Sequence, residues 1–261
     1  MKNILLTVSY DGTDFCGWQR QDKSDKGNAV RTVQGEIETA LKKMLKSDIA
    51  LTGSGRTDSG VHAFAQTANF LSPYDSIPAP SYVKALNGYL PKDIRIMDAE
   101  EVPMEFSSRF NATSRVYRYF MQVENPPFAK DSRYVWYIKH RPNLENLKEM
   151  AHVLHGEMNF KTFAAAGDVS LSFNRYIDNC DFYYDENNPS LLVFEIEANA
   201  FLWKMVRSLT GTFIDLDKKG FGKEEFERIL NAQERSLAGP TAPPEGLFLY
   251  KIKFDGIRRH V

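Results

Sequence analysis

The sequence is poor in the residues that build metal sites and disulfide scaffolds. Of 261 residues, two are cysteine and five are histidine. Cys16 and Cys180 stand at no metal-like spacing, which argues against a zinc site and fits a reducing compartment. His152 and His155 share a helical face, but with no third ligand nearby in the sequence they read as an ordinary surface or core pair. No run approaches the length of a membrane span. The opening Met1-Lys2-Asn3-Ile4-Leu5-Leu6 lacks the apolar stretch of a secretion signal, so the expected location is cytoplasmic. Excess charge is missing too. Lys and Arg number 33 against 34 Asp and Glu, a net charge of −1. That excludes a generally basic coat, so any nucleic-acid site must be a local patch. Nor is there a Walker A loop, or a G-x-G-x-x-G running from a strand into a helix, so a nucleotide-phosphate cradle is not expected.

What is present is an ordinary globular composition, 43% hydrophobic and 26% charged, in a chain long enough for two small domains. Residues 4–10 read as a strand stopped by Asp11-Gly12. A charged stretch over 22–31 reads as a long loop. From Val33 the period changes: Val33, Ile37, Ala40, Leu41, Met44 and Leu45 fall on one helical face, with Glu36, Lys42, Lys43 and Lys46 opposite. Strands are expected over 49–52 and 65–71, a helix over 81–89 and a strand over 92–101. The same order returns with a strand at 115–123, a helix from Leu144 to Leu154, strands at 175–184 and 191–199, helices at 201–216 and 223–231, and a last strand at 247–254. The expected class is α+β. It comprises two ferredoxin-like β-α-β-β-α-β subdomains, 1–104 and 105–261, whose largely antiparallel sheets are packed by helices, with an active-site cleft between them.

Three stretches carry chemistry. In Gly53-Ser54-Gly55-Arg56-Thr57-Asp58-Ser59-Gly60-Val61-His62, a carboxylate stands at the tip of a glycine-bracketed loop between two strands, where backbone can approach a ligand closely. The plainer reading is a turn in which Asp58 caps the Ser59-Gly60 bend. In the second half a plain turn, Glu186-Asn187-Asn188-Pro189, occupies the corresponding place. Next, residues 201–214 are apolar on nearly every side, yet Arg207 lies among them. A buried guanidinium needs an acid, and Asp58 is a candidate; snorkelling to solvent is the alternative. Finally, Ser114-Arg115-Val116-Tyr117-Arg118-Tyr119 interleaves base and aromatic, as in sites where rings stack on nucleobases, though ordinary packing of a half-exposed strand would look the same. Arg20, Arg56, Lys84, Arg109 and the Lys130/Arg133 pair are further basic candidates, and Arg258-Arg259-His260 reads as a frayed tail.

Together these stretches resemble the tRNA pseudouridine synthase A family. The carrying residues are Tyr10-Asp11-Gly12 with Gly17-Trp18-Gln19-Arg20, Thr32-Val33-Gln34-Gly35, and Gly55-Arg56-Thr57-Asp58-Ser59-Gly60-Val61-His62-Ala63 with Gln66. To these are added residues 106–110, Tyr117-Arg118-Tyr119, Asn199-Ala200-Phe201 with Met205-Val206-Arg207, and residues 239–247. The resemblance implies conversion of uridine to pseudouridine in the anticodon stem-loop of tRNA, at positions 38 to 40, by a homodimer with no metal or organic cofactor. It makes Asp58 the catalytic aspartate, Arg56 an arginine tied to base flipping, Tyr117 the ring facing the uracil, Arg207 the basic partner of Asp58, and Leu247 the apolar residue beside it. The RNA-binding residues expected on this footing are Arg20, Gln66, Phe106, Arg109, Arg115 and Arg118, with Glu36, Glu38, Glu224 and Glu225 on an opposite, helical face. Departures from the family pattern fall at Ser107-Ser108, at the 22–31 stretch and at Ala164-Ala165-Ala166-Gly167-Asp168. The competing readings are an inactive RNA-binding protein or tRNA chaperone of the same fold, and an unrelated hydrolase using Asp58, for which no second carboxylate is evident.

Overall fold

The computed structural model describes residues 1–21 and 30–259. Most of the charged 22–31 stretch, and His260, lie outside them. The described chain runs β1 (Lys2–Tyr10), α1 (Val33–Leu45), β2 (Thr52–Gly53), β3 (His62–Ser72), α2 (Ser81–Tyr89), β4 (Ile94–Val102), β5 (Ser114–Val123) and β6 (Trp136–Ile138). It continues through α3 (Leu144–His152), β7 (Gly156–Asn159), β8 (Asn174–Tyr184), β9 (Leu191–Ala198), α4 (Met205–Lys218), α5 (Lys223–Ala232) and β10 (Leu247–Lys253). These elements form two compact units, Met1–Thr113 with Phe248–Gly256, and Ser114–Leu247 with Ile257–Val261. The boundary expected from the sequence falls at 104/105; in the structure nearly all of the last strand belongs to the first unit. Among the described residues no helix is long and apolar enough to cross a membrane.

In the first unit the sheet runs β4-β1-β3, antiparallel, with β2 on the far edge of β3. This is the ferredoxin-like order expected from the β-α-β-β-α-β pattern. The α1 helix starts where the Thr32 hydroxyl accepts the Gly35 N–H, carries Glu36 in its first turn and Lys42 and Lys43 in its last, and ends at left-handed Lys46. Its buried face is Val33, Ile37, Ala40, Leu41 and Leu45, as periodicity requires. Glu38 is a correction. Expected on an exposed acidic face, it is buried and binds Arg20 Nη1 at 2.6 Å, Gln34 Nε2 at 3.0 Å and the Leu51 N–H at 3.1 Å. That last bond explains a second difference. The strand expected over 49–52 shrinks to Thr52–Gly53 because Leu51 gives its N–H to Glu38 and its carbonyl to Gln34 instead of to a ladder. The edge of β3 left open is taken by β10, which pairs in parallel at Phe248↔His62 and Leu249↔Ala63. With Tyr10↔Ala63 on its other side, β3 therefore begins at His62, directly after the Asp58 loop.

In the second unit β5-β9-β8-β7 form an antiparallel run, with β6 parallel to β5. The short strands β6 and β7 escape sequence reading, since three or four residues leave no alternation to detect. Helices α3, α4 and α5 cover a core of phenylalanines packed face-on and edge-on. Phe213 lies 4.6 Å from Phe226, 5.4 Å from Phe182 and 5.5 Å from Phe194, ring centre to ring centre. The tail is also a correction. The Arg259 guanidinium lies 3.8 Å over Tyr176 and its Nε bonds Asp178 at 3.3 Å, so this residue is docked rather than frayed. Phe213→Ala should cost about 3–5 kcal/mol, since truncating a fully buried ring loses its transfer energy and leaves a cavity. Urea unfolding of the two proteins measures the difference.

Candidate active site

Asp58 is half-buried, and Thr57 beside it is held from two directions. The Tyr10 hydroxyl lies 2.8 Å from Thr57 Oγ1, and the Trp18 N–H donates to the Thr57 carbonyl at 3.2 Å. The chain before Trp18 can come this close because Gly17 stands at φ +89°, where a Cβ would meet the Thr57 carbonyl at 2.5 Å. Trp18 itself is buried against Gly53, leaving no room there for a side chain. Beyond Asp58 the turn closes on itself and on Phe15. Val61 N–H reaches the Asp58 carbonyl at 3.2 Å, and the Ser59 hydroxyl and Gly60 N–H both donate to the Phe15 carbonyl. Buried His62 accepts the Gly12 N–H on Nδ1 at 3.0 Å and stacks on Phe248 at 4.6 Å. Two loops, 10–20 and 53–62, thus form one hydrogen-bonded body that presents Asp58.

Gln66, expected among the RNA contacts, is fully buried. Its Oε1 accepts from the Ser54 hydroxyl at 2.6 Å and the Thr67 N–H at 3.1 Å, and its Nε2 donates to the Gly55 carbonyl at 3.0 Å. It braces the glycine-rich limb of the loop from inside, a task for which an amide is suited because it supplies both donor and acceptor. Arg56 is exposed beside Asp58. Arg20 is also exposed and is tethered to α1 by Glu38.

Phe106 and Arg109 lie on the segment after β4, and three side chains pin that segment down. Asn3 Nδ2 donates to the Pro103 and Phe106 carbonyls at 2.9 and 2.8 Å, and Asn69 Oδ1 accepts the Ser108 N–H at 2.9 Å. The Ser108 hydroxyl donates to the Thr52 carbonyl at 2.5 Å. Ser108, a departure from the family pattern, is therefore a buried structural residue. Phe106 packs on Phe254 at 5.1 Å, whereas Arg109 is exposed with its guanidinium 5.5 Å from the Phe110 ring. Asn3 and Asn69 were not singled out from sequence. Their only signal there is a polar residue at an inward position of an otherwise apolar strand.

The second unit carries Tyr117, Arg207 and Leu247. Tyr117 is buried and meets Phe201 edge-on at 5.0 Å. Its two flanking arginines are partly occupied. Arg118 pairs with Glu195, directly opposite on β9, at 2.6 Å, and Arg115 Nη1 donates to the Asn199 carbonyl at 2.7 Å, with burial lowering its pKa. Arg207 is not in mid-helix as the sequence reading had it. The α4 helix begins at Met205, because Trp203 gives its N–H to Asp168 Oδ2 and its carbonyl to the Ala165 N–H, and Lys204 turns left-handed at φ 60°. Arg207 is therefore in the first turn, half-buried, with Nε donating to the Ala242 carbonyl at 2.8 Å. Asp168 gains a role as well. Burial raises its carboxyl pKa, but hydrogen bonds from Ser170 and Trp203 outweigh this and hold it below the usual range. Leu247 is buried at the start of β10. Among the described residues no group of three or more His, Cys, Asp or Glu side chains could hold a metal.

A family model described as tRNA pseudouridine synthase matches residues 6–111 and 150–255. Similar curated proteins carry the name tRNA pseudouridine synthase A. The one from Treponema denticola is 51% identical over 97% of this chain and 93% of its own length. That from Brachyspira hyodysenteriae is 39% identical over 97% of this chain and 99% of its own, and that from Caldicellulosiruptor saccharolyticus 37% over 97% and 100%.

The bracing by Gln66 yields a test. Gln66→Leu keeps the volume but takes from the Gly55 carbonyl and the Thr67 N–H the side-chain bonds they make to Gln66. It should cost about 2 kcal/mol in urea unfolding, since a buried polar group stripped of its bond costs 1–3.

Proposed function

The chain belongs to the tRNA pseudouridine synthase family, and on that premise we propose that it isomerises uridine to pseudouridine in tRNA, with Asp58 as the reactive carboxylate. The observation that carries this reading is the clamped loop. Thr57 is gripped by Tyr10 and Trp18 and the following turn is tied to Phe15, so Asp58 is presented on backbone that does not need to reorganise. A capping turn would not require three loop glycines packed against Trp18, Thr57 and Val61.

The reaction breaks the N1–C1′ bond of uridine, turns the uracil and joins C5 to C1′. C5 loses a proton and N1 gains one, so nothing is oxidised or reduced. The target base must leave the stack. Arg56, exposed beside Asp58, is suited to occupy the vacated space or to hold a phosphate; Tyr117 supplies a ring for the extruded uracil, and Leu247 an apolar neighbour. An ionised Asp58 serves either as a nucleophile toward sugar or base, or as a base toward the sugar. Arg207 is the cation proposed to keep it charged. The finer expectations belong to the same reading: action at positions 38 to 40 of the anticodon stem-loop, a homodimer, and a cytoplasmic location.

With a net charge of −1 the RNA must be held by a local patch. Arg20, Arg56 and Arg109 are its exposed members, while Arg115 and Arg118 already serve the fold.

Two measurements test the reading. Asp58→Asn should slow single-turnover pseudouridine formation by more than about a hundredfold while tRNA affinity stays within about twofold. Activity near wild type would refute the assignment, and a wild-type enzyme that binds tRNA without modifying it would favour the inactive RNA-binding protein. Arg109→Glu should weaken tRNA binding and lower the slope of log affinity against log salt by roughly one. An unchanged slope removes Arg109 from the patch.

A further inference from the structure

Arg207 sits in a harness that the chemistry above does not explain. Residues 239–247 run back across α4 and touch it at successive points. The Ala242 N–H donates to the Arg207 carbonyl at 3.0 Å, and the Ala242 carbonyl accepts from Arg207 Nε at 2.8 Å. One residue thus holds both the backbone and the side chain of the arginine. The segment is fixed on both sides of that contact. Upstream, the Gly239 N–H donates to Thr212 Oγ1 at 2.9 Å, and Arg235 Nη2 donates to Thr241 Oγ1 at 2.9 Å. Downstream, the Tyr119 hydroxyl donates to the Pro243 carbonyl at 2.7 Å, and the Gly246 carbonyl accepts the Phe120 N–H at 2.8 Å.

The fit is close enough to dictate glycine. A Cβ on Gly211 would collide with the Pro240 carbonyl, and one on Gly246 would lie 2.6 Å from the Tyr119 ring. Pro240, Pro243 and Pro244 restrict the backbone further. Tyr119 is fully buried, its pKa pushed well up by burial and by Glu245, with Arg207 near enough to oppose the rise. A buried phenol needs a partner for its hydroxyl, and it finds one in the residue next to Ala242.

We infer that residues 239–247 are a strap that orients the Arg207 guanidinium, and that Tyr119 is the positioning residue that sets the strap through the Pro243 carbonyl. With Nε committed to Ala242, the plane of the guanidinium is fixed, so a shift of the strap re-aims the rest of the fork. Tyr119 touches no substrate in this account; it acts through Pro243 and Ala242 on Arg207. The inference rests on the proposed role of Arg207.

The test is a double-mutant cycle on the full chain with a tRNA transcript. Tyr119→Phe keeps the ring and removes only the hydroxyl. It should slow single-turnover pseudouridine formation about tenfold, leave the tRNA dissociation constant within about twofold, and lower the urea midpoint only by the small amount that one lost hydrogen bond costs. In an Arg207→Leu background the same change should alter the rate by less than about twofold, because the arginine it positions is gone. Gly211→Ala, which pushes on the strap from the helix side, should show the same dependence on Arg207. Rate losses that multiply in the double variant overturn the strap while sparing the reading of Arg207. A loss confined to tRNA affinity, or a fall in the urea midpoint well beyond that of one lost hydrogen bond, also overturns it, since Tyr119 is then a binding or core residue. Full activity of Arg207→Leu alone overturns the role of Arg207 and the inference with it.

Discussion

The grip on Thr57 is the contact on which the placement of Asp58 depends. A carboxylate at the tip of a free glycine-rich loop would sample many positions, and each would have to be abandoned before reaction. Here the residue before it is bonded through its hydroxyl to Tyr10 at the end of β1 and through its carbonyl to the Trp18 backbone. Tyr10 is in turn fixed by its ladders to β3 and β4. The rigidity of the sheet is thus transmitted to Asp58 through two hydrogen bonds, at the expense of glycine at positions 12, 17 and 53, where any larger residue collides with the partner loop.

Much of this was legible in the sequence, for reasons that differ by element. Long amphipathic pieces such as α1 and α5 show themselves because many residues vote for the same period, and the β-α-β-β-α-β order follows from such pieces. The residues of the candidate site stand out as types unlike their surroundings, Asp58 between glycines and Arg207 among apolar neighbours. What stayed hidden is what tertiary contacts decide. Nothing local says that Glu38 turns inward to serve Leu51 and Arg20, or that Trp203 is held out of the helix by Asp168 and Ala165. For that reason Arg207 was placed in mid-helix rather than in its first turn. Gln66 was misread similarly: its motif marks it as important, but only burial reveals that it serves the loop from within.

The two units solve the same problem in different ways. In the first, contacts from the 10–20 loop hold the backbone beside Asp58. In the second, the backbone of residues 239–247 reaches across to hold the side chain of Arg207. Glycine and proline dominate that strap because it is positioned by main-chain groups, and its identity would look like loop composition to any reading that did not see where it lies.

The pairing of β10 with β3 has a consequence for how the protein is made. Because β2 is only two residues long, the edge of β3 at His62 and Ala63 is completed by a strand encoded nearly two hundred residues later. During synthesis β1, β3 and β4 emerge early and are able to pair at once, yet the strand that flanks the root of the Asp58 loop follows only after residues 114–246. Until that strand is made, a nascent chain carries Asp58 beside an unfinished edge.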